Sequence, residues 1–110
     1  ATSTLLRTLF QIEGYEGVIC PRPEEVLQMI EQAQPDLVLM DVHLAEVDAI
    51  NILAAIRADR LIGQVPVIMT SGMDVEDKCL AAGASAFMLK PFRPSDLMNL
   101  IKQQLVAAAG

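Results

Sequence analysis

Three polar positions in this chain each close an apolar run: Asp41 after LVLM, Thr70 with Ser71 after VIM, and Lys90 after AFML. A carboxylate at the end of a strongly apolar stretch is costly to desolvate unless something nearby favours its charge. A lysine ammonium would do so, holding the carboxylate ionised at neutral pH. A carboxylate nucleophile, a cation and a hydroxyl donor together suit phosphoryl transfer, which asks mainly for positioning and for positive charge on the equatorial oxygens. On this reading Asp41 attacks a phosphoryl group, Lys90 pairs with one of its oxygens and the Thr70 hydroxyl hydrogen-bonds another. Singly, each residue has a plainer use. Asp41 can cap the turn that follows it, Lys90 can be a solvated lysine, and Thr70 can be a β-branched strand residue. The phosphoryl reading rests on the combination.

Bringing the three together sets conditions on the scaffold, and the rest of the sequence meets them. Short apolar runs alternate with helical patterns along the chain, which predicts an α/β fold with a parallel sheet. Leu5, Leu6, Leu9 and Phe10 share one helical face, with Gly14 as the stop; residues 17–20 read as a strand ended by Pro21 and Pro23. A helix opens at Pro23, carries Val26, Leu27, Ile30 and Ala33 on its inner face, and closes at Pro35. Strands follow at residues 37–41, 67–70 and 86–89. Helices are expected at about 48–58 (with Ile50, Leu53, Ala54 and Arg57), 75–82 (stopped by Gly83) and 94–106 (with a buried stripe of Leu97, Leu100, Ile101 and Leu105). In open parallel sheets ligands bind beyond the carboxyl ends of the strands, where Asp41, Thr70 and Lys90 stand.

Composition excludes several classes. With 110 residues the chain is one domain with enough core to need no staple, and 53% hydrophobic residues suit a sheet covered on both faces. Eight Lys and Arg against fourteen Asp and Glu give a net charge of -6, which repels phosphate backbones and argues against direct nucleic-acid binding. No apolar run approaches the ~18 residues of a membrane span. No secretory signal pattern is visible, so a cytoplasmic location is the default. Cys20 and Cys79 lack metal-ligand spacing and read as buried or half-buried free thiols, and Met29, Met40, Met69, Met88 and Met98 as gap-filling core.

The runs PDLVLMDVHL, VPVIMTSG and AGASAFMLKPF, in this order and spacing, closely resemble the receiver domain of two-component response regulators, over residues 3–105. The resemblance implies a flavodoxin-like (CheY-like) sheet of five parallel strands flanked by helices. It also implies that Asp41 is a phosphoacceptor served by a histidine kinase or phosphotransfer protein, in a phosphorelay switch rather than a true enzyme. Lys90 matches the family's lysine, followed by a cis peptide at Pro91, and Thr70 matches the switch hydroxyl. Phe87 matches the aromatic that turns inward when the switch residue moves. For the family's magnesium ion, Asp41 and the backbone carbonyl of His43 match two of the ligands.

Other features depart from the family pattern. No Asp or Glu precedes Glu13, so the family's first strand and its acidic magnesium-binding pair are absent from this chain. Asp41 with one carbonyl and water is a weak magnesium site. Without that strand two apolar edges are left open, so the expectation is either further residues upstream of Ala1 or a strand-swapped or other homodimer. Ala45 and Ala49 stand where proline and glycine are usual. Residues 1–106 are expected to form the domain and 107–110 a tail or linker stub. The alternatives are a pseudo-receiver, an interaction module of the same fold without phosphoryl chemistry, and a haloacid-dehalogenase-type hydrolase. The last needs an aspartate two residues after the nucleophile, where this chain has His43.

Overall fold

The computed structural model describes residues 26–41 and 46–109. Along them run helix α1 (Val26–Ala33), strand β1 (Val38–Asp41), helix α2 (Glu46–Ala58), strand β2 (Val67–Ser71), helix α3 (Glu76–Ala81), strand β3 (Ala86–Leu89) and helix α4 (Pro94–Ala109). The helix expected at residues 5–10, the strand at 17–20, the first residues of the helix opening at Pro23, and the positions of His43 and Ala45 lie outside the described residues.

The three strands form a parallel sheet in the order β1-β2-β3. The middle strand is apolar until its last two residues and all five of its residues are buried, as a strand covered on both faces must be. Strand alternation divides the core in two. Val67 and Met69 point into a cluster with Ile30 of α1, Met40 of β1, Leu53 and Ile56 of α2, and Cys79 of α3. Ile68 points the other way, against Leu97, Met98 and Ile101 of α4. Helices α1 to α3 thus cover one face of the sheet and α4 the other.

The observed elements differ from expectation in instructive places. Helix α2 starts at Glu46 and buries Leu53 and Ile56, whereas Ala54 faces solvent. The pair at i and i+3 forms the inner face. Helix α4 runs to Ala109, three residues past its expected end, so residues 107–109, read as tail, are helical. Ala107, Ala108 and Ala109 supply the best helix former in a row, which favours continuing the last turn. Met98 joins Leu97 and Ile101 in the buried stripe, while Leu100 and Leu105 lie at its margin. Met40, Met69 and Met98 are buried and Met29 and Met88 half-buried, and Cys79 is a buried free thiol, as read from the sequence.

Candidate functional site at the carboxyl edge of the sheet

Register decides which polar residues meet. Asp41, the last residue of β1, is paired with Thr70 of β2. Thr70 in turn is paired with Met88 of β3, and Ser71 with Leu89, so Lys90 follows one position beyond. The Lys90 N–H donates to the Ser71 carbonyl at 2.7 Å, which extends the β2–β3 ladder past the end of β3 and fixes the start of the lysine against the end of β2. The three strand ends therefore lie along one edge of the sheet. The peptide bond between Lys90 and Pro91 is cis, as expected.

Two hydroxyls compete for a role here. Thr70 is 3% exposed and Ser71 5%. Side chains alternate along a strand and in-register parallel neighbours share a face. Thr70 is paired with Met88 and falls two residues after Ile68, which places it on the α4 face. Ser71 falls two residues after Met69, on the face covered by α1 to α3. Phe87 is half-buried against that same cluster and is paired with Met69. The structure thus brings Ser71 and Phe87 to one face and sets Thr70 on the opposite one. A signal for this was present in the sequence, since Ser71 directly follows Thr70 and ends the run. The Ser71 hydroxyl oxygen accepts from the Met73 N–H at 3.0 Å, a short turn that holds the chain leaving β2. Beyond it Met73, Asp74, Val75, Asp77 and Lys78 line an open depression.

Magnesium is held by several oxygen ligands in near-octahedral geometry. Among the described residues no group of three or more His, Cys, Asp or Glu side chains could hold a metal ion. Of the expected ligands Asp41 lies at the described edge and His43 outside the described residues, so the described residues do not by themselves make a magnesium cage.

At the opposite end of the sheet the Arg57 guanidinium gathers acceptors from two loops. Its Nε donates to the Gly83 carbonyl at 2.8 Å, and one terminal nitrogen donates to the carbonyls of Gly63 at 3.1 Å and Val65 at 2.6 Å. The other terminal nitrogen donates to the Ser85 hydroxyl oxygen at 3.2 Å. Partial burial lowers the Arg57 pKa by desolvation, a cost that these hydrogen bonds offset. Sequence reasoning placed Arg57 on its helix without assigning it partners, because its acceptors are backbone carbonyls that carry no sequence signature.

The family model for the response regulator receiver domain matches residues 1–102. The alkaline phosphatase synthesis transcriptional regulatory protein PhoP of Bacillus subtilis (strain 168) is 33% identical over 102 residues, which cover 90% of this chain and 42% of that protein. The DNA-binding response regulator MtrA of Mycolicibacterium smegmatis is 29% identical over 104 residues, 92% of this chain and 44% of that one. The chain spans less than half the length of these curated relatives. Among solved structures, the BeF3-activated N-terminal receiver domain of Klebsiella pneumoniae RstA superposes with a TM-score of 0.84 at 25% identity, covering 94% of this chain and 89% of that one. A CheY-like receiver domain protein from Methanospirillum hungatei JF-1 gives 0.81 at 28% identity, covering 98% and 85%.

Proposed function

This chain belongs to the response regulator receiver domain family of two-component signalling, and from that premise we propose that it is a phosphorylation-driven switch with Asp41 as the acceptor. A carboxylate oxygen of Asp41 attacks the phosphorus of a phosphohistidine on a histidine kinase or phosphotransfer protein. The new P–O bond forms as the P–N bond breaks, and the leaving imidazole takes up a proton from water. Lys90 neutralises charge on the equatorial oxygens as it develops, and a strand-end hydroxyl donates to another of them. The acquired negative charge then biases an equilibrium between two conformations. The observation that carries this reading is the convergence of Asp41, the Thr70–Ser71 pair and Lys90 on one sheet edge, in a fold shared with receiver domains.

For the switch hydroxyl, the sequence reading took Thr70. Strand parity favours Ser71 instead: a hydroxyl whose movement makes room for Phe87 must share a face with Phe87, and Ser71 does. The output is a further proposal. PhoP and MtrA are named as transcriptional and DNA-binding regulators, and a net charge of -6 leaves any DNA contact to a region other than this acidic domain. The deciding experiment incubates the full-length protein with a small phosphodonor and magnesium and measures intact mass. A phosphoryl gain that Asp41→Asn abolishes supports the switch. No Asp41-dependent gain retires it in favour of an interaction module of the same fold.

A further inference from the structure

We infer that Arg57 is a positioning residue that pins the amino end of β3 to β2 and α2, and through that short strand holds Lys90 at the site edge. The consequence for Lys90 rests on the phosphoryl reading above; the pin itself does not. Strand β3 needs such a device. It is an edge of the described sheet, and none of its four residues is fully buried, whereas every residue of β2 is. All four of its residues are paired with β2, and further bonds extend that pairing beyond both ends. At the carboxyl end the Lys90 N–H bonds the Ser71 carbonyl. At the amino end the Ser85 N–H donates to the Val67 carbonyl at 2.8 Å, while the Val67 N–H donates back to the Ser85 hydroxyl oxygen at 3.1 Å. That same oxygen accepts from Arg57.

Arg57 therefore completes a three-way junction. It rises from the last turn of α2 and bonds the chain entering β2 at Gly63 and Val65 and the chain entering β3 at Gly83 and Ser85. A planar guanidinium suits this work because its donors diverge in a fixed fork, so one side chain spans two loops. Lysine, with one nitrogen, cannot reach the same set. With both ends tied and only a few residues between them, β3 has little freedom to open or slide. Removing the pin takes away the bonds that tie the amino end of the strand leading to Lys90 to α2.

Native-state amide hydrogen exchange tests this. Three amides report it: Ser85 and Lys90 in the β3 attachment, and Leu97 of α4, which bonds the Arg93 carbonyl, away from the loops that Arg57 holds. In Arg57→Met the Ser85 and Lys90 amides are expected to exchange faster relative to Leu97 by about tenfold, the mark of a local opening of β3. Arg57→Lys should fall between Arg57→Met and the parent, and it carries the comparison if Arg57→Met does not fold. Equal acceleration at all three amides would show a contribution to overall stability only and overturn the inference, as would no acceleration at all. The measurement uses no phosphodonor. A protein that takes up no phosphoryl group would remove the role given to Lys90 while leaving this result decisive for the pin.

Discussion

Replacing Gly83 with alanine strikes the fold where two constraints coincide. Gly83 has a φ of +112°, outside the range that side chains with a Cβ adopt readily, and a Cβ built there would stand 2.9 Å from Cγ of Arg57. Holding a non-glycine residue in such a conformation costs about 1–3 kcal/mol. The contact pushes Arg57 away from the Gly83 carbonyl it bonds, and one lost hydrogen bond of this kind adds about 0.5–1.5 kcal/mol. Alanine also restricts the unfolded chain, which returns about 0.4–1 kcal/mol. The balance is a destabilisation of about 2 kcal/mol, within the ~5–15 kcal/mol that domains of this size hold, so the variant still folds. Urea unfolding followed by circular dichroism should show the midpoint lowered by about 1 M, given a slope of roughly 2 kcal/mol per M. Making the same change in an Arg57→Met background separates the two causes. There the backbone strain persists, while the part due to displaced Arg57 disappears, so the cost of Gly83→Ala should fall by about 0.5–1.5 kcal/mol. A midpoint shift below ~0.3 M in the parent background would refute the strain estimate. An equal cost in both backgrounds would refute the contact with Arg57.

Leu53 is fully buried against both α1 and β2, so Leu53→Ala should cost about 2–5 kcal/mol, whereas Leu80→Ala, at a side chain 44% exposed, should stay within about 1 kcal/mol; calorimetric unfolding of the two variants measures the contrast. Met73 is 65% exposed and Met69 is wholly buried, so dilute peroxide should oxidise Met73 first, and peptide mapping that found Met69 modified earlier would contradict the packing. The chain has no tryptophan, which makes Phe87→Trp a single fluorescent reporter. Its emission should change on addition of a phosphodonor, lose that change with Ser71→Ala, and keep it with Thr70→Val; the reverse pattern would return the switch role to Thr70.

Much of the architecture could be read directly from residue order. Apolar runs ended by polar residues, with proline and glycine between them, located β1, β2 and β3 to within a residue, because desolvation and turn chemistry act on neighbours along the chain. The same locality explains why Asp41, Thr70 and Lys90 stood out as strand ends.

Local pattern says nothing about relations between segments, and those decided the rest. Which hydroxyl shares a face with Phe87 depends on the β2–β3 register, a one-residue distinction that reverses every side chain. Leu53 and Ile56 became the inner face of α2 because of where β2 and α1 lie against it. Arg57 acquired its partners only when folding carried Gly83 and Ser85 to a helix end more than twenty residues away in sequence. Hydrophobic periodicity is a property of each element alone, whereas register, facing and long-range hydrogen bonds belong to pairs of elements and exist only once those pairs have packed.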